Sequence, residues 1–149
     1  LNQPVNTFER DAAQAALKLA GEGDVVIFCD YTRAVGEYTF RVAESGATVR
    51  SWPAAIDAHP GWYDHQLAWE SGPELRAEAM ALAAELRPLV AAGNRVFIVD
   101  HTRMQPVASI NRLLHVTLRQ QLGRERVGWI PKPAHPPVVT VFGGPATTD

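Results

Sequence analysis

The sequence predicts a small three-layer α/β fold: an open, mostly parallel sheet of Rossmann-like type, with two pseudo-repeated halves and a last strand that is antiparallel or at an edge. Three observations carry this expectation. Two short runs, Val25–Cys29 and 95–99, are almost continuously apolar, as strands buried on both faces are. Each follows an alanine-rich stretch with helical spacing. Finally, Gly23-Asp24-Val25-Val26-Ile27-Phe28-Cys29-Asp30-Tyr31-Thr32-Arg33 returns 70 residues later as Gly93-Asn94-Arg95-Val96-Phe97-Ile98-Val99-Asp100-His101-Thr102-Arg103, with five of the eleven positions identical.

The elements follow in order. The opening residues read as an arm, Asn6 and Glu9 make a capping box, and Phe8, Ala12, Ala15 and Leu19 mark a helix down to Gly21. The first buried strand is Val25–Cys29. Residues 34–45 form a helix with Val35, Tyr38 and Val42 on one side and Gly46 beyond its C-cap; a hairpin through 38–42 is the rival reading. A strand over 47–52 ends at Pro53. Residues 51–72 are a long aromatic and polar connection of the kind that forms a lid.

Ser71 with Glu74 repeats the capping box, and Leu75, Ala79, Leu82, Leu86 and Val90 draw an apolar stripe that Pro88 should kink or end late. After the second buried strand, Pro106 opens a helix through Val107, Ile110, Leu114, Thr117 and Leu118 toward Gly123. Residues 127–130 form the next strand. The proline-rich joint 131–137 is too short for a crossover helix, so 138–142 enters antiparallel or at an edge, and 143–149 is a loose end. The whole chain reads as one domain, with halves at about 7–53 and 73–131.

Composition narrows the function. With 149 residues, 46% hydrophobic, and 14 basic against 16 acidic side chains, the net charge of −2 offers no general attraction for a nucleic-acid polymer or an anionic membrane. The longest apolar runs, Val25–Cys29 and 79–84, are far too short to span a bilayer, and no signal-peptide pattern opens the chain. A lone Cys29 makes no intramolecular disulfide, so a reducing, cytoplasmic setting is expected. Cys29 itself reads as core, pointing away from Asp30.

The repeated Asp-x-Thr-Arg carries the chemistry. In an open parallel sheet, ligands bind beyond the carboxyl ends of the strands, where both tetrads are expected to project. Arg33 and Arg103 would hold an anion and Thr32 and Thr102 would orient it. Asp100 with His101 would handle a proton, since histidine is the side chain whose ordinary pKa lies nearest neutrality. Asp30 would be a second acid or base, or the partner of Arg33. The structural alternative is that the aspartates and threonines cap the following helices and each arginine pairs with its own aspartate.

In the aromatic connection, Trp62 and Trp69 could stack an aromatic or heterocyclic ligand, or serve in the ordinary packing of a long loop or in a subunit contact. Trp129, like Trp52, ends a strand and either lines the crevice or plugs the sheet edge. His115 falls on a polar or marginal helix face, and Lys132 and His135 sit in the proline-rich joint. Asp57, His59 and His65 match no strong metal-ligand spacing. No cofactor is expected; magnesium would need Asp30 and Asp100 to combine across the crevice.

Dinucleotide, phosphate-loop and serine-elbow signatures are absent. The leading expectation is therefore a hydrolase or group transferase acting on an anionic small molecule, phosphorylated or nucleotide-like. Such a reaction can run on positioning and electrostatics alone. The alternatives are a non-catalytic ligand or nucleotide sensor, and an assembly module in which the tryptophan-rich connection forms a homodimer surface.

Overall fold

The chain runs α1 (Thr7–Leu19), β1 (Val25–Cys29), α2 (Arg33–Val42), β2 (Thr48–Trp52), α3 (Gly72–Ala91), β3 (Arg95–Asp100), α4 (Val107–Leu122), β4 (Arg126–Trp129) and β5 (Val138–Gly143). This is a computed structural model that describes residues 7–29, 32–54, 72–101, 107–131 and 137–144. The arm with its Asn6 cap, most of the 51–72 connection, Ser71, Pro106, most of the proline-rich joint and the 145–149 tail lie outside the described residues.

The five strands form one sheet in the order β2-β1-β3-β5-β4. β1 pairs parallel with both β2 and β3, while β5 is antiparallel to both β3 and β4. The last strand is thus antiparallel, as expected, but it is not at an edge. It slots between β3 and β4, leaving β4 outermost. The reason is in its side chains: Val139 and Val141 are buried on one face and Phe142 on the other, and a strand apolar on both faces needs a central place.

Alternation divides the core. Val25, Ile27 and Cys29 of β1, with Val96 and Ile98 of β3, pack under α3 and α4. Val26 and Phe28, with Phe97 and Val99, pack under α1 and α2. The sheet register adds something the repeat conceals: Val25 lies beside Val96, one step on from Arg95, its counterpart in the repeat. A one-residue offset turns side chains to opposite faces. Val26 and Val96, identical in the repeat, therefore stand on opposite sides of the sheet.

The long helices obey their stripes. Leu75, Ala79, Leu82 and Leu86 of α3 are buried, as are Ile110, Leu114, Thr117 and Leu118 of α4. α3 runs on through Pro88 to Ala91. The first two helices follow their expected faces only in part, through Ala12 and the partly buried Ala15 of α1 and the partly buried Val35 of α2. In α1 the buried residues are Ala12, Ala13 and Ala16, whereas Phe8 is 48% and Leu19 36% exposed. In α2 two of the three predicted stripe residues face out, with Tyr38 60% and Val42 63% exposed, and Arg33, Gly36, Thr39 and Phe40 turn inward.

Close approach is the cause in α2. A Cβ on Gly36 would stand 2.2 Å from the Phe28 ring, which packs edge-on against Phe40 at 5.4 Å between centroids. Only a glycine lets α2 sit so low on β1. The same helix ends at Val42, and the left-handed residue after it is Glu44 at φ 52°, not Gly46.

A polar bolt fixes the opposite end of the central strands. The Asp24 carboxylate accepts from the Gly21 N–H at 2.9 Å, the Arg95 N–H at 2.8 Å, and the Arg95 side chain at 3.2 Å (Nε) and 2.9 Å (Nη2). Arg95 also donates to the Leu19 carbonyl at 2.9 Å, tying the end of α1 to the start of β3. Among the described residues no helix is long and apolar enough to cross a membrane.

Candidate functional site at the ends of β1 and β3

From β1 the chain crosses through α2 to β2 on one side, and from β3 it leaves through α4 toward β4 on the other. The carboxyl ends of β1 and β3 therefore flank a topological switch point, where the two outgoing connections part and leave a crevice. Asp100, His101, Thr32 and Arg33 are all placed at this rim. Asp30, Thr102 and Arg103, expected at the same rim, lie outside the described residues, as do Trp62 and Trp69.

Thr32 stitches the switch point. Its hydroxyl lies 2.6 Å from the Cys29 carbonyl and 3.0 Å from the Val99 carbonyl, so its proton is shared between the last turns of the two strands. It makes no side-chain cap to α2. A hydroxyl committed to the strands orients the rim rather than a ligand. Arg33 follows at once as the first residue of α2 and is 2% exposed, a cation held at the positive end of a helix dipole.

Asp100 and His101 diverge. Asp100 continues the alternation of Val96 and Ile98 toward α4, where its Oδ2 meets His115 Nε2 at 2.7 Å. The carboxylate is fully buried and the histidine 14% exposed. His101 turns to the other layer, placing Nε2 3.2 Å from Oε1 of Glu9 in the first turn of α1. The adjacent pair thus serves two separate imidazole–carboxylate contacts, one per face, instead of Asp100 orienting its neighbour. An ionised carboxylate at Nε2 holds the proton there and leaves Nδ1 as the acceptor.

His115 and Glu9 are functional candidates that the sequence reading missed. His115 stands at the margin of the buried face, 14% exposed, one turn after the fully buried Asn111 and beside Leu114. Two polar side chains four residues apart on an apolar flank were the available signal. The capping box with Asn6 gives Glu9 a local role in the sequence, and that role hides its long-range one.

The two strand-end tryptophans part company. Trp52 is fully buried among the residues under α3 and α4 and donates Nε1–H to the Ile110 carbonyl at 3.3 Å, so it is a plug. Trp129 lies on the outermost strand with β5 between it and β3, in a groove against α1 and away from the switch point. Cys29 sits in the core as expected. Among the described residues no three histidine, cysteine or acidic side chains cluster as metal ligands.

No protein-family model matches the chain, and no curated protein does. Among solved structures it is similar to a protein-(glutamine-N5) methyltransferase, release factor-specific, from Alicyclobacillus acidocaldarius: 20% identity over 96% of this chain and 94% of that one, with a TM-score of 0.43.

Proposed function

We propose that the chain is a small α/β enzyme, a hydrolase or group transferase, acting on an anionic, phosphorylated or nucleotide-like small molecule at the carboxyl ends of β1 and β3. The observation that carries this reading is that the end of β3, at a topological switch point, supplies one imidazole–carboxylate contact to each face of the sheet, while α2 opens after β1 on a buried arginine. Arg33, with Arg103 from the second tetrad, would hold the anion, aided by the first amides of α2. His115 held by Asp100 would take or give the proton, with His101 held by Glu9 as the second such group. Thr32 is a positioning residue, and Thr102 and Asp30 would complete the rim.

The test starts from binding. Thermal stability is measured against nucleotides, sugar phosphates, dicarboxylates and inorganic phosphate, with and without magnesium, since a ligand of the native state raises apparent stability by mass action. A selective shift that Arg33→Ala/Arg103→Ala loses identifies the anion and supplies a substrate for turnover assays. His115→Gln should then lower kcat and leave binding intact. No selective shift in the wild type sinks the proposal.

One observation favours a second reading. His101 and His115 are only 5% and 14% exposed, and each ties a helix to the end of β3, as a purely structural latch would. The site would then bind the same anion without turning it over, as a sensing domain. Saturable binding with no product would decide for it.

A further inference from the structure

We propose that this chain pairs with a second copy of itself through α1 and β4, about a two-fold axis perpendicular to the sheet. The two ends of the sheet are built differently. At the β2 edge Arg50 is ion-paired to Glu85 at 2.7 Å, a charged guard of the kind that discourages pairing. At the β4 edge the exposed side chains are apolar: Val127 is 66% exposed and the following Ile130 44%. Val127 pairs with Thr140, out of step with the buried Val139 and Val141, so it projects to the face that α1 does not cover.

On the other face α1 runs beside β4, and Asp11, Gln14, Ala15 and Lys18 share with Trp129 a groove of about 460 Å³. Their order is self-complementary. An antiparallel copy of α1, with the axis between Gln14 and Ala15, sets Asp11 against the partner's Lys18 and Lys18 against the partner's Asp11. Among the described residues neither side chain has an ion pair within its own chain, and both are exposed. The small Ala15 at the axis allows close helix approach. A two-fold axis through the β4 edges brings the α1 helices together on one face and the Val127 side chains together on the other, as an isologous interface requires. Mixed charge in this arrangement favours a copy of the chain over a partner of single sign, such as nucleic acid or an anionic bilayer.

Sedimentation velocity of the 149-residue chain over about 1–200 μM reads the outcome. The wild type should dimerise reversibly, and Lys18→Asp and Asp11→Lys should each weaken association at least about tenfold, because both copies of the pair turn repulsive. The combined Asp11→Lys/Lys18→Asp chain should recover to within about threefold of wild type. Val127→Lys, on the other side of the same strand, should also dissociate the dimer while circular dichroism stays native. A monomer at every concentration overturns the proposal. So does a dimer that ignores the charge reversals and Val127→Lys, which would place the contact elsewhere, as in the tryptophan-rich connection.

Discussion

Asp24 offers the most direct test of how the central strands are held. Its carboxylate, 7% exposed, accepts four hydrogen bonds from Gly21 and Arg95, two of them from backbone N–H groups that have no side-chain freedom to seek another acceptor. A hydrogen bond to a charged group is worth about 1.5–3 kcal/mol. The Arg95 side chain is 33% exposed and can turn to water, so its share is discounted and the two backbone donors dominate. Asp24→Ala should therefore cost about 3 kcal/mol, a large part of the about 5–15 kcal/mol available to a domain. Asp24→Asn, which keeps one acceptor oxygen and is the residue found at the matching Asn94, should cost about half as much.

Urea unfolding followed by circular dichroism measures this, with the midpoint falling by about 1.5 M at an unchanged slope near 2 kcal/mol/M. Arg95→Ala leaves its own backbone N–H on Asp24 and should cost less than Asp24→Ala. A loss under about 1 kcal/mol for Asp24→Ala, or an equal cost for Arg95→Ala, would refute the assignment of the bolt to the carboxylate.

Three further outcomes follow from the same contacts. Gly36→Ala drives a methyl into Phe28, and the helix propensity gained offsets only part of the strain; a net loss of about 2 kcal/mol by thermal melts is expected, partly recovered by adding Phe28→Leu. His115→Ala removes a hydrogen bond from a fully buried carboxylate and should cost about 2 kcal/mol, with His115→Gln closer to wild type because its amide can still donate; equal losses in urea titrations would argue against the contact. The Arg119 hydrogen bond holds the Glu125 carboxyl below its ordinary value of 4.5, helped by a backbone hydrogen bond and by the charges of Arg119 and His115 against the opposing effect of burial. A lowered folded pKa gives a contribution that is complete above the ordinary value and lost as the pH falls through the folded one. Glu125→Gln should accordingly flatten the stability profile below pH 4.5 and leave its shape at neutral pH unchanged.

The sequence by itself determined the strands and the layer order. A continuous apolar run such as Val25–Cys29 has no stable home except between two helical layers, and a seven-residue proline-rich joint cannot hold a crossover helix, so the antiparallel entry of β5 was legible. The placement of Thr32, Arg33, Asp100 and His101 at strand ends was legible for the same reason. Only the tertiary structure decided what those side chains meet. In α1 and α2, apolar and small residues occur around the helix, so periodicity allowed more than one buried face; packing chose the one whose alanines and Gly36 permit close approach to the sheet. It also put the two halves of the repeat one residue out of step, turning equivalent side chains to opposite faces. Asp100 thus found His115 on α4, and His101 found Glu9 on α1. Local sequence specifies which way a strand alternates, but which helix waits on each side depends on contacts between residues far apart in the chain.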